Sequence, residues 1–283
     1  MQSETDPKKL TLYFDDLDLK NDAKSQLTGV FFPEKYQPSD KLKVLLYLFG
    51  HGNPSIDQHW VNQPAKKTGK PDDYLIREEL NASGKNLVLV APTLGPKSGA
   101  GLLVTNGINW YLKQVLDRLK ANAPAELKIG DAAAVTDVFV MAHSGGGVPL
   151  LALAEAIPGD NSGNLIRELW GLDCLYAPPG HHPVAYTDYG QMDPFDPEPK
   201  WVTWASGHQG VSFFMHWATD EPKTRSLNLK KLAVDGWRPK AKQRAVTLPA
   251  AAKLLNVTVI ESQVKEHEPM IRPAMKIRLD ALP

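Results

Sequence analysis

The sequence predicts an α/β fold: a mostly parallel central sheet with helices on both faces and an antiparallel N-terminal edge. Three observations point to it. Near-continuous apolar runs such as residues 42–49 recur along the chain, as in strands buried on both faces. From about residue 42 these runs alternate with segments of helical character, the pattern of a parallel sheet with crossover helices. Ahead of them lie two runs rich in β-branched and aromatic residues, joined by a polar turn.

Residues 10–14 and 27–32 read as the two N-terminal strands, the second ended by Pro33. Residues 42–49 form the first buried strand, which runs into Gly50. Residues 73–81 read as a helix and 86–91 as the next buried strand, stopped by Pro92. In 108–121 the apolar residues Ile108, Tyr111, Leu112, Val115, Leu116 and Leu119 recur every three or four positions, which is one face of a helix. Residues 135–142 are a strand, and 148–156 a helix with Pro149 in its first turn. Residues 169–173, 211–217 and 257–262 are the last strands, with a basic helical region near 227–232. The proline-rich stretch 177–210 reads as a short lid or loop insertion within a single domain covering 1–283.

The charge balance narrows the partners. Lys plus Arg number 32 and Asp plus Glu 32, so the net charge is zero, which argues against a nucleic-acid binder. The hydrophobic share of 42% and charged share of 23% are those of a globular chain that can bury a sizeable core. Cys174 is the one cysteine, so neither an intramolecular disulfide nor a cysteine-cluster metal site is expected. No apolar run is long enough to span a bilayer, and the polar start lacks the apolar core of a signal peptide. That start fits a cytoplasmic chain and equally a secreted one whose signal has been removed.

The chemistry is concentrated around residue 144. A hydrophobic strand runs through Ala142 and His143 into Ser144; Gly145, Gly146 and Gly147 follow, and a helix begins at once. A sharp strand-to-helix turn holds such a serine in a strained backbone conformation, and small residues two positions to either side keep the turn free of clashes. Ser144 would stand exposed at a helix N-terminus, where unpaired amides favour developing negative charge; the Gly145 amide is the expected oxyanion donor.

On these residues the chain resembles the α/β-hydrolase superfamily, over roughly residues 10–275 in element order. Ala142 where the signature usually has glycine is a mild departure. The resemblance implies a second oxyanion amide from the loop after the 42–49 strand, hence Gly52 or Asn53. His51, Gly52, Asn53 and Pro54 are also similar to the corresponding loop of haloalkane dehalogenases and epoxide hydrolases. Those enzymes need a carboxylate at the elbow, and Ser144 sets that chemistry aside.

The superfamily order of nucleophile, acid, histidine implies His267 as the general base, since of the eight histidines it alone follows the last strand. Two acids compete. Asp173 ends the strand after the elbow helix, in a Gly-Leu-Asp context similar to that of pancreatic-type lipases. Asp220 follows the next strand, where most of the superfamily keeps its acid, but the usual glycine spacing is missing. Asp173 is favoured, because a carboxylate at a strand's C-terminal end sits where triad acids must. His143 reads as core packing. His181 and His182, near Asp193 and Asp196, could ligate a metal, but adjacent residues in an extended segment point opposite ways, and no metal or other cofactor is expected.

The expected function is hydrolysis of a carboxylic ester, small or polymeric, through an acyl-serine. Amidases and peptidases use the same triad and form the alternative within enzymes; a non-catalytic hydrolase-fold binding protein is the alternative outside them. Tyr176, Tyr186, Tyr189, Trp201, Trp204, Phe213, Phe214 and Trp217 either line an acyl or alcohol pocket or pack in the core. Oligomeric state stays open.

Overall fold

The computed structural model describes residues 2–4, 10–21, 26–49, 75–95, 99–160, 165–176, 185, 196–217, 220–237, 248, 253–267 and 269–283. Nine strands within these residues form one sheet in the order β1-β2-β3-β5-β4-β6-β7-β8-β9. They are β1 (Gln2–Glu4), β2 (Thr11–Phe14), β3 (Thr28–Phe31), β4 (Lys41–Phe49), β5 (Val88–Pro92), β6 (Ala134–His143), β7 (Ile166–Leu172), β8 (Val211–His216) and β9 (Val257–Glu261). From β1 to β5 the pairings along this order are antiparallel. From β5 through β4 to β9 they are parallel. The expected architecture, edge included, is therefore the observed one.

The apolar runs are explained by what lies on each side of the sheet. Successive side chains of a strand point to opposite faces. In β4, Leu42, Val44, Leu46 and Leu48 enter one core while Leu45, Tyr47 and Phe49 enter the other. The first core is closed by α2 (Leu102–Asn122), α3 (Gly147–Asp160), α4 (Pro197–Gly207) and the end of α5 (Asp220–Leu229) with the π-helical turn that follows it. The second is closed by α1 (Ile76–Ser83) and α6 (Ile271–Ala281). A strand with helices on both sides has no polar face to show, so alternation disappears from its sequence.

Helix α2 starts earlier than its periodicity indicates, but it is broken at Gly107 (φ 86°), and the regular part begins at Ile108 as expected. Helix α4 falls inside the stretch read as a lid or loop. Asp196 precedes it and Pro197 opens it, and Trp201, Val202, Trp204 and Ala205 are buried. The rest of that stretch before Asp196, apart from residue 185, lies outside the described residues. No helix among the described residues is long and apolar enough to cross a membrane.

Candidate active site

Strand register sets the stage. Phe49 of β4 pairs with His143 of β6, His143 with Leu172 of β7, and Leu172 with Met215 of β8. The residues immediately after β6 and β7, Ser144 and Asp173, therefore emerge side by side at the C-terminal edge of the parallel sheet. Ligands of open α/β sheets bind at that edge.

Both residues have left-handed backbone, with φ 54° at Ser144 and 44° at Asp173. Neither is glycine, so each conformation is sterically costly and must be imposed by its surroundings. At Ser144 the surroundings are visible. The chain leaves β6, makes one tight turn over Ser144–Gly146 and enters α3 at Gly147. A Cβ on Gly146 would stand 2.0 Å from the Leu48 carbonyl oxygen, and one on Gly147 would stand 1.8 Å from that of Cys174. The two glycines thus let the turn settle between the ends of β4 and β7. The constraint on Gly146 comes from the neighbouring strand, and Ala142, where the usual signature has glycine, is buried. Ser144 is half-buried, with Gly145 buried beside it at the start of the turn.

His267 lies in the loop between β9 and α6, and its anchoring is well defined. The Ser262 amide donates to the His216 carbonyl, and the Val264 amide donates to Ser262 Oγ. On the far side, α6 is held to β7 by paired hydrogen bonds from Arg278 to Glu168 and to α1 by Arg272 and Glu79. Between these anchors, His267 Nδ1 makes a hydrogen bond of 2.5 Å to Asp173 Oδ2. Asp173 Oδ1 accepts from the Trp217 amide at 3.2 Å, and the Asp173 amide donates to the Met215 carbonyl. Asp173 is buried, whereas the His267 side chain keeps 25% of its surface. With Nδ1 committed to the carboxylate, Nε2 is the ring nitrogen left to take up a proton.

Asp220 opens helix α5, and the histidine partner falls to Asp173. Two other histidines are occupied elsewhere: His208 stacks on Trp204, and His216 is buried with Nδ1 near the Trp217 carbonyl. Burial holds the pKa of His216 below its usual value. His143 is fully buried, and burial together with the nearby His267 holds its pKa well below the usual value. Of the aromatic residues considered for a pocket, Trp201, Trp204, Phe213 and Phe214 are core; Tyr176, just after Asp173, is partly exposed. Gly52, Asn53, His181, His182, Tyr186, Tyr189 and Asp193 lie outside the described residues. Among the described residues no group of three or more His, Cys, Asp or Glu could hold a metal ion.

The sheet order, the two helical layers and the strand–serine–helix turn define the α/β-hydrolase fold. The chain is similar in structure to the feruloyl esterase module from Clostridium thermocellum complexed with sinapinate, at 13% identity and a TM-score of 0.50, over 100% of this chain and 92% of that one. It is also similar to an S-formylglutathione hydrolase from Agrobacterium tumefaciens, at 12% identity and a TM-score of 0.49, over 99% and 95% of the two chains. An arylesterase matches at 10% identity and a TM-score of 0.48, over 99% and 86%. No protein-family model and no curated protein sequence matches the chain.

Proposed function

We propose that the protein is a serine hydrolase that cleaves carboxylic esters, small or polymeric, through an acyl-serine intermediate. The observation that carries this reading is the hydrogen bond between His267 Nδ1 and Asp173 Oδ2, made at the same edge of the sheet as the turn that bears Ser144. Two residues 94 positions apart in the chain, one buried and one partly exposed, meet at the edge of the sheet from which the serine turn also emerges.

In the proposed reaction Ser144 Oγ attacks the ester carbonyl carbon while His267 Nε2 takes the hydroxyl proton. Asp173 keeps the ring in the tautomer that can accept it and stabilises the imidazolium that forms. The displaced carbonyl electrons collect on oxygen, facing the Gly145 amide at the mouth of α3 and a second amide from Gly52 or Asn53. As the intermediate collapses, the C–O bond to the alcohol breaks and the alcohol leaves with the proton from His267. Water then attacks the acyl-serine by the same route, releasing the acid and restoring Ser144. Esters are the better substrates because an alkoxide is a better leaving group than an amide nitrogen.

A fluorophosphonate probe followed by peptide mapping tests the reading, with matched acyl esters and anilides measured alongside. Ser144 is the residue expected to be modified, Ser144→Ala is expected to fold and to take up no probe, and the esters are expected to react faster. Modification of a different serine would remove the proposal; faster anilides would turn it into an amidase.

A further inference from the structure

His143, the last residue of β6 and the neighbour of Ser144, has no part in the reaction just described, yet it touches the proposed base in two ways. Its ring lies 4.3 Å from the His267 ring, tilted by 40°, and on another side Phe49 of β4 stacks on it at 5.5 Å and 29°. Its Nε2 is 3.0 Å from the main-chain oxygen of His267. A carbonyl oxygen only accepts, so Nε2 carries the hydrogen and donates it.

From these contacts we infer that His143 is a positioning residue, whose Nε2–H holds the main chain of His267 at a set distance from Ser144. The inference rests on the acyl-serine reading and deepens it. Asp173 holds the His267 side chain at one ring nitrogen and leaves its main chain to be held by other contacts. The bond from His143 is a second attachment, at the backbone, and it comes from the residue covalently next to the nucleophile. Any shift of the β6 turn therefore carries nucleophile and base together. A loop histidine between β9 and α6 gains in this way the placement that a residue within a regular element has by default.

The electrostatics agree with this arrangement. In acyl transfer His267 becomes cationic, and a second cation 4.3 Å away would oppose that step. Full burial and the proximity of His267 both disfavour the charged form of His143, so it stays a neutral donor throughout.

The test compares His143→Leu, which keeps an apolar filling but has no donor, with His143→Gln, whose terminal N–H has similar reach. Three readouts are taken: kcat and KM on an ester the wild type cleaves, thermal melting, and the far-downfield proton resonance of the His267–Asp173 hydrogen bond, which needs no turnover. The leucine variant is expected to lose about 10²-fold in kcat with little change in KM, the penalty of a misplaced catalytic group, and its downfield proton should broaden or vanish. Glutamine should restore most of the rate and the resonance. If the leucine variant does not fold, His143→Asn, polar but shorter by one methylene, takes its place with the same expected loss. A folded leucine or asparagine variant with wild-type kcat and an intact resonance overturns the inference. So do equal losses in the leucine and glutamine variants with the resonance kept, since the ring would then act by packing. Neither result touches the acyl-serine reading while Ser144 is still modified by the fluorophosphonate. Modification of another serine in the wild type is the separate result that removes both.

Discussion

Asp173 and Glu198 are both carboxylates withdrawn from water, at 1% and 0% exposure, and their partners differ in kind. Asp173 gives one oxygen to a main-chain amide and the other to His267, an imidazole that can gain or lose a proton and is itself a quarter exposed. Glu198, in the first turn of α4, faces Arg225 of α5, whose side chain is wholly buried. Arg225 donates from Nη1 to Asp196 Oδ1 at 3.0 Å and to Glu198 Oε2 at 3.3 Å, and from Nε to Glu221 Oε1 at 3.0 Å. Asn228 adds a bond to the other Glu198 oxygen. The first cluster ends in an imidazole that is partly open to solvent at the edge of the sheet. The second contains a permanent cation with no way out, and it clamps α4 to α5. A buried charge whose partner titrates and reaches solvent is a candidate for chemistry, and one paired with a buried permanent cation is a candidate for structure.

Mutations in the two clusters should therefore fail in different currencies, activity in one and stability in the other. The largest effects belong to the first. His267→Ala is expected to lower kcat by about 10⁴–10⁶-fold and Asp173→Asn by about 10⁴-fold, both with melting temperatures near that of the wild type. Asp220→Asn should stay near wild type in ester turnover. A steep loss in Asp220→Asn with Asp173→Asn nearly active would move the acid to α5 and dissolve the contrast.

Arg225→Met comes next, with the opposite signature. It leaves Asp196 and Glu198 buried without their cation and should cost about 3–5 kcal/mol in urea unfolding, while the folded fraction keeps its turnover. Loss of turnover without loss of stability would mean that the second cluster also serves the reaction.

Glu198 supplies the smallest effect and the finest discrimination. Burial, opposed by Arg225 and reinforced by Asp196, pushes its pKa up to about 7 from an ordinary 4.5. A carboxyl group whose folded pKa is raised contributes its stability in full below 4.5 and loses it as pH rises through 7, since the unfolded chain releases the proton first. The whole window is worth about 3 kcal/mol. Glu198→Gln does not titrate, so its melting temperature relative to wild type should climb between pH 5 and pH 8. A difference that stays flat with pH would show that Arg225 keeps Glu198 ionised in the native state.

How much of this was legible in the sequence depended on whether the signal was local. The strands of the parallel sheet stood out because two helical layers bury both faces of their central stretches, such as residues 44–49 of β4 and 138–142 of β6, which are apolar throughout. The turn at Ser144 stood out because strand, serine and glycines are consecutive. Helix α4 was obscured by Pro197 and Pro199, which read as loop residues, although proline in a first turn after an aspartate is an ordinary helix start. Its decisive stabilisation, Arg225 reaching across from α5, comes from 27–29 positions away and leaves no local trace. Strand β1 is three polar residues joined to β2 through the backbone, so there was no hydrophobic period to find. Trp201, Trp204, Phe213 and Phe214 were ambiguous between pocket and core, because their side chains are equally suited to both.

The order of chemical groups along the chain was a property of the sequence alone: an elbow serine after a buried strand, aspartates after the next two strands, a histidine after the last. Covalent neighbours cannot separate in folding, and the periods of helix and strand are written in consecutive residues. Which aspartate meets His267, and that the His143 ring lies against the His267 main chain, were decided only by tertiary structure. Those contacts join positions 94 and 124 residues apart, and a distance of 2.5 or 3.0 Å across such a gap is set by how sheet, helices and loops pack together.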